Sequence, residues 1–78
     1  MLEPRRKART LSAELADTLA LRIRNQDYAP GTKLPKELDI MQEFGVSRTV
    51  VREAISNLQA AGMAETRHGI GTFALLPE

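Results

Sequence analysis

The sequence predicts a small, mainly α-helical α+β domain in which three helices are followed by a two-stranded β-hairpin. Two observations lead to this prediction. Apolar residues recur at helical spacing in three successive segments. After Gly62 that spacing ends, and two short runs flank the glycine-rich stretch 68–71. A chain of 78 residues is long enough for only one domain, with a compact core.

The first helix is predicted over residues 12–26, because Leu15, Leu19 and Ile23 recur every four residues and line one face. A loop containing proline and glycine then ends it. The second helix is predicted over residues 35–44, because proline is tolerated in a first helical turn. The face that it buries is expected to be Ile40, Met41 and Phe44.

The third helix is predicted over residues 48–61, after a short turn. Gly45 favours the left-handed backbone of a helix end, and Ser47 can cap the next helix with its hydroxyl. Gly62 is expected to end this helix. Its predicted buried face has the spacing i, i+3, i+4 and i+7, and consists of Val51, Ala54, Ile55 and Leu58.

The first ten residues carry a local excess of positive charge, although the net charge of the chain is only +1. We expect residues 1–10 to form a flexible basic arm before a domain at residues 11–76. Two interpretations remain open for the arm: a solvated chain start, or a contact with nucleic acid. Its basic residues are Arg5, Arg6, Lys7 and Arg9.

The composition excludes several classes of protein. The chain has no cysteine and one histidine, so disulfides and thiolate metal sites are excluded and we expect no cofactor in this domain. No apolar run is long enough for a signal peptide or a membrane span. The carboxylates have no nucleophile or second histidine beside them, so we do not expect an enzyme.

Two helices joined by a short glycine-containing turn predict a helix-turn-helix, whose second helix lies in the major groove of DNA. Arg48 lies at the start of that helix, and Thr49 and Arg52 lie on its exposed side. Arginine can donate two hydrogen bonds to guanine, threonine can contact a base, and the hydroxyl of Ser47 can reach a phosphate. The alternative is a solvated surface, with Arg52 paired to a carboxylate such as Glu43.

The hairpin supplies a second predicted contact, over residues 66–71. Arg67 and His68 precede Gly69 at a tip slim enough to reach a minor groove or a phosphate backbone. His68 could equally be an ordinary turn residue.

These pieces occur together in an order that resembles a known family. The motifs PG, LP, FGVSR, VREA and HGxGTF fall in succession between Pro30 and Phe73. This run is similar to the winged helix-turn-helix DNA-binding domain of GntR-type bacterial transcription regulators. The pair His68-Gly69 indicates the FadR-like branch of that family.

The resemblance implies DNA contacts at particular positions. They fall on Ser47, Arg48, Thr49 and Arg52 in the recognition helix, and on His68 and Gly69 in the wing. Two positions depart from the family pattern. Lys36 replaces the serine that usually caps helix two, which suggests a phosphate contact, and Leu38 replaces an arginine that commonly touches DNA.

The resemblance also implies partners and a setting. We expect a metabolite-responsive regulator, most often a repressor, that binds a pseudo-palindromic double-stranded operator. The homodimer interface and the effector site are expected in a C-terminal domain that this chain lacks, so that the chain is a fragment. The setting would be the bacterial cytoplasm, at the nucleoid, with no membrane partner.

A second function from a different class is a winged helix that binds proteins rather than DNA. That function requires an exposed apolar patch, and the sequence offers only Leu38, Leu75 and Leu76.

Overall fold

The computed structural model describes the backbone of residues 4–76 and the side chains of residues 11–76. Three helices are followed by a two-stranded antiparallel sheet, as the sequence predicts. The elements are α1 (Pro4–Arg24), α2 (Glu37–Phe44), α3 (Arg48–Ala60), β1 (Ala64–Arg67) and β2 (Gly71–Ala74). Within this part of the chain no helix has the length and apolar character needed to cross a bilayer.

Helix α1 begins earlier than the predicted range 12–26. Its first residue is Pro4, whose fixed φ suits a first helical position, and the residues that follow are good helix formers. The backbone from there to residue 10 is therefore helical, so α1 begins within the segment predicted as an arm over residues 1–10, of which residues 1–3 lie outside the described part. The helix ends before Gln26, whose φ of 65° leaves the helical region.

Helix α2 begins at Glu37, so Pro35 lies outside it and does not open it as predicted. Lys36 occupies the N-cap position with an extended backbone and makes no capping hydrogen bond with its side chain. The last helical residue is Phe44, and Gly45 caps the helix: it has a φ of 65° and donates its N–H to the Met41 carbonyl at 2.8 Å. A glycine takes this left-handed conformation without steric cost, so α3 can begin three residues later.

Helix α3 begins directly after its predicted cap. The Ser47 hydroxyl accepts a hydrogen bond from the Val50 N–H at 3.2 Å, and the helix ends at Ala60, one residue earlier than predicted. Ile55 is only partly buried, which corrects its assignment to the buried face. The residues of α3 that are fully buried are Val51, Ala54 and Leu58.

The two strands pair in antiparallel register, and the chain segment before α2 joins them. Thr66 lies opposite Thr72 in the hairpin. On the other edge of β2, the Leu34 N–H donates to the Thr72 carbonyl at 2.8 Å, and Lys33 pairs with Phe73 in an isolated bridge. This pairing places the start of α2 and the wing side by side.

The core lies mainly between α1 and α3 and is closed by the first residues of α2 and by the sheet. Its members are apolar side chains with less than a tenth of their surface exposed. They are Leu15, Ala16, Leu19, Ala20, Ile23, Leu34, Ile40, Val51, Ala54, Leu58, Met63, Ala64 and Ala74. Met41 and Phe44, which were expected on the buried face of α2, are half-buried and pack against this core.

Arg22 ties α1 to the loop and to α2. Its guanidinium donates to Glu43 at 2.6 Å and to the Tyr28 hydroxyl at 2.8 Å, and it lies 5.0 Å from the centre of the Phe44 ring. The hydrogen bond to Glu43, followed by that to Tyr28, raises the pKa of Arg22 above its ordinary value. The same bond lowers the pKa of Glu43. Glu43 therefore pairs with α1, and it is not the partner suggested for an arginine of α3.

Candidate nucleic-acid interface

A groove of about 630 Å³ runs between the start of α2, the exposed side of α3 and the wing. Its walls come from segments that are distant in sequence, and they carry four basic side chains but one acidic side chain. The charged residues of the groove are Lys33, Lys36, Glu37, Arg48 and Arg52. By contrast, a cavity between α1 and the end of α3 carries one basic and one acidic side chain, Arg24 and Asp17.

Two predicted recognition residues, Arg48 and Arg52, meet at one wall of the groove. Both side chains are largely exposed, at 58% and 66%. The carboxylate of Glu37 lies between them, with Oε1 at 3.6 Å from the Nε of Arg48 and Oε2 at 3.1 Å from the Nε of Arg52. Arg52 thus does pair with a carboxylate, as the alternative interpretation suggested, but the partner is Glu37 and not Glu43.

The start of α3 offers further donors beside these arginines. The first N–H groups of a helix have no partner within the helix and attract anions. One of them is bound by the Ser47 hydroxyl, which can still donate its own hydrogen to a phosphate. Thr49 is exposed in the first turn of the helix.

The two faces of the wing carry different side chains. Thr66 and Thr72 line the groove, and their hydroxyl oxygens are 3.1 Å apart. Side chains alternate along a strand, so Arg67 lies on the opposite face, with its guanidinium 4.6 Å from the centre of the Phe73 ring and 3.6 Å from Glu65. The structure therefore does not bring Arg67 together with the arginines of α3.

The wing tip is a three-residue loop of His68, Gly69 and Ile70. The Ile70 N–H donates to the Arg67 carbonyl at 3.0 Å, which closes the turn. All three tip residues are exposed, and Ile70 extends along the groove wall. The tip thus exposes one imidazole and one apolar side chain.

Sequence reasoning missed Lys33 and Glu37. Lys33 lies in a loop, where no periodicity marks its direction, and only the bridge to β2 brings it to the groove. Its side chain covers Gly71 so closely that a Cβ there would lie 2.5 Å from the Lys33 Cε. The sequence places Glu37 in the first turn predicted for α2. Its ion pairs with Arg48 and Arg52 depend on how α2 packs against α3, which the sequence does not show.

Lys36 and Leu38 also line the groove, at the start of α2. Lys36 is exposed and makes no ion pair with any side chain among residues 11–76. Leu38 is 54% exposed, so the leucine that replaces the usual arginine faces the place where a partner would lie.

Among the described residues no three His, Cys, Asp or Glu side chains are grouped so that they could hold a metal ion. The groove combines fixed positive charge, hydrogen-bond donors and two exposed apolar groups, a combination suited to nucleic acid.

Comparison with known proteins connects this geometry to regulators. The model of the family described as bacterial regulatory proteins, gntR family, matches residues 11–74. The uncharacterized HTH-type transcriptional regulator YieP of Escherichia coli K12 is 52% identical over 64 residues, which are 82% of this chain and 28% of YieP. The HTH-type transcriptional repressor NagR of Bacillus subtilis 168 is 35% identical over 65 residues, which are 83% of this chain and 27% of NagR.

A solved structure matches the same region. The DNA-binding domain of AraR, in complex with operator ORR3, has a TM-score of 0.78 and 34% identity, and the match covers 82% of this chain and 77% of that domain. The matched region spans about a quarter of the length of YieP and NagR but most of the AraR domain.

Proposed function

The chain belongs to the gntR family of bacterial regulatory proteins and has the winged helix-turn-helix fold of its DNA-binding domains, and we propose that it binds a specific operator for a transcription regulator. The observation that carries the proposal is the groove between α3 and the wing, where the Nη groups of Arg48 and Arg52 have no partner among the side chains of residues 11–76. The AraR domain, which matches this fold, is bound to operator DNA.

Base reading is assigned to α3. The major groove is wide enough for a helix, and arginine donates two hydrogen bonds to the O6 and N7 of guanine. Arg48 and Arg52 therefore read guanine, while Thr49 contacts a base edge or a thymine methyl. Leu38 offers an apolar contact to a thymine methyl on the α2 side of the groove.

Phosphate contacts position the domain. Lys33 and Lys36 act as point charges on the wall of the groove, and Ser47 donates from the helix start. At the wing, His68 and Gly69 reach the minor groove or the backbone. Arg67 faces away from the groove, so its proposed contact moves to a phosphate flanking the wing. All these contacts use protein groups alone, with no cofactor.

The regulator is proposed to act as a dimer. A homodimer places two copies of the domain on a pseudo-palindrome. The dimer interface lies in the part of the full-length regulator that corresponds to the unmatched three quarters of YieP and NagR. A small-molecule effector binds in that same part. NagR is a repressor, which supports repression by blocking the operator. The His68-Gly69 wing supports the FadR-like branch, and a DNA partner implies action at the bacterial nucleoid, in the cytoplasm.

Binding to a protein instead of DNA is less well supported by the surface. The large apolar residues that are exposed include Leu11 and Leu21, which sequence reasoning missed, and these are separated by about 15 Å along α1 at the rise of a helix. Leu38 and Ile70 lie in the basic groove. Such dispersed side chains do not form one contiguous apolar patch.

The test is selection of bound sequences from a random duplex pool, followed by a salt titration on the selected duplex and a scrambled one. With roughly four phosphates neutralised, log K should fall with log[salt] at a slope of about −3.6 for both duplexes. The selected duplex should keep its advantage as salt rises. If neither this chain nor a dimeric form of it enriches any duplex sequence, the proposal is contradicted.

A further inference from the structure

The carboxylate of Glu37 is shared by two arginines that face the proposed DNA. Its two oxygens lie 3.6 Å and 3.1 Å from the Nε atoms of Arg48 and Arg52, respectively. These arginines are four residues apart on α3, a spacing at which like charges repel. Glu37 reaches them from the first turn of α2, so one negative charge offsets the repulsion between two positive charges.

The atoms that Glu37 leaves free are those that a base would use. Among residues 11–76, the Nη groups of Arg48 and Arg52 have no hydrogen-bond partner, whereas both Nε atoms face the carboxylate. A free arginine side chain has many rotamers, and ordering them on binding costs affinity. An anchor at Nε removes part of that cost while the outer edge of the guanidinium stays available.

We propose that Glu37 is a positioning residue for base recognition, holding the Nε atoms of Arg48 and Arg52 so that their Nη groups point at guanine. This inference rests on the proposed function and adds a determinant of specificity to it. Exposed ion pairs contribute little to folding stability, so the effect of Glu37 is expected in binding rather than in folding.

Because Glu37 is negatively charged and lies near the proposed DNA, its removal is expected to raise the affinity for DNA. A negative charge in this groove repels every phosphate backbone, so removing it should strengthen binding to any sequence. Removing it should also free the arginines, which weakens the discrimination between right and wrong bases. Affinity for a scrambled duplex and selectivity are therefore expected to change in opposite directions.

The experiment compares Glu37→Gln with Asp39→Asn. Asp39 lies in the same first turn of α2, is exposed, and has no ion pair within residues 11–76, so both variants lose one acid from the same helix start. Affinities are measured for the selected and scrambled duplexes at two salt concentrations, with Tm as a check on folding. Glu37→Gln should bind the scrambled duplex more tightly, and its selectivity ratio should fall roughly tenfold, within the range of one bidentate contact.

The control and the double variants separate positioning from general electrostatics. Asp39→Asn should change both affinities equally and keep the ratio of the wild-type chain. In an Arg48→Ala/Arg52→Ala background, Glu37→Gln should leave the remaining ratio unchanged. An equal gain on both duplexes in Glu37→Gln, with the ratio preserved, overturns the positioning role while leaving the proposed function intact.

A measurement without DNA reads the contact itself. The Nε–Hε resonances of Arg48 and Arg52 in NMR spectra of the free chain should shift in Glu37→Gln and stay in place in Asp39→Asn. Unchanged resonances in Glu37→Gln overturn the inference. If the wild-type chain shows no selectivity in the duplex assay, the proposed function fails first, a result distinct from loss of selectivity in the variant alone.

Discussion

At the scale of single residues, the arginines of this chain differ by what their guanidinium groups contact. Arg22 is held between Glu43, Tyr28 and an aromatic ring, so it has a structural role. Arg67 is stacked on a ring of the wing. Among the described side chains, Arg48 and Arg52 are the arginines that lie on the groove with free Nη groups. The residue type alone therefore does not identify a DNA contact.

Arg48→Ala and Arg52→Ala should each reduce affinity for the selected duplex by about 1–3 kcal/mol, because a bidentate contact to guanine is lost. Each variant should also relax the preference at one base pair. Repeating the selection with each variant measures this directly. Arg24→Ala removes the same charge from the end of α1, outside the groove, and should retain every base preference. Equal losses on all sequences would make Arg48 and Arg52 phosphate contacts.

Lys33→Ala should weaken binding to selected and scrambled duplexes by the same factor, because a point charge on a phosphate carries no base information. The salt slope should become shallower by about 0.9, which corresponds to one phosphate. Salt titrations of the variant and of Arg24→Ala provide the comparison. A loss confined to the selected duplex would show instead that Lys33 contributes to base readout.

At the scale of elements, the two helices of the helix-turn-helix begin differently. Helix α3 has a serine cap that satisfies an N–H group, whereas α2 begins after Lys36, which caps nothing with its side chain. A cap is worth about 1 kcal/mol, so α2 lacks a stabilising contact that a serine would supply. The lysine at this position instead places a positive charge at the edge of the groove.

Lys36→Ser should separate these two effects. The variant should be more stable by about 1 kcal/mol, because the new hydroxyl can cap α2, and should bind DNA less tightly on every sequence. Urea unfolding and duplex titration measure the two changes. Lys33→Ser is the matched control, since it removes a groove lysine from a position that begins no helix, and it should weaken binding without a stability gain. Reduced stability in Lys36→Ser would contradict the capping argument.

At the scale of the whole molecule, the recognition surface depends on contacts that fix separate elements against one another. The core joins α1 to α3, the bridge at Lys33 joins the loop to the wing, and Arg22 joins α1 to α2. Relative placement of α2 and α3 brings Glu37 within reach of both groove arginines. Weakening a contact that lies far from the groove, such as the Arg22–Glu43 pair, should thus lower the stability of the domain more than its affinity for DNA.

The Arg22–Glu43 pair should make stability depend on pH. The hydrogen bond from Arg22 lowers the pKa of Glu43 in the folded state, so its contribution is fully present above the ordinary glutamate pKa of about 4.3. It is lost as pH falls through the lower folded-state pKa. Glu43→Gln should therefore be less stable than the wild-type chain at pH 7, and the difference should shrink in acid.

Urea unfolding at pH 7 and in stronger acid tests this expectation. Glu53→Gln changes an exposed acid that has no ion pair among residues 11–76, and it should show no comparable difference at pH 7. A stability difference for Glu43→Gln that stays constant as the pH falls would rule out the ionised pair as its source.

The sequence by itself determined the order of elements and the recognition helix. Periodicity located three helices, Gly45 and Ser47 located the turn between α2 and α3, and the glycines after Gly62 located the hairpin. These features are local, because a cap, a turn or an apolar face is specified by residues a few positions apart. For the same reason, local spacing alone was enough to place Arg48 at the start of α3 and Arg52 on its exposed side.

Only the tertiary structure decided which side chains share the groove. The direction of Lys33 follows from a bridge across forty residues of sequence, as the paired numbers 33 and 73 show, and the contacts of Glu37 follow from helix packing. The face taken by Arg67 depends on strand register, in which a shift of one residue reverses every side chain. Such placements are set by contacts between distant segments, and no local pattern in the sequence encodes them.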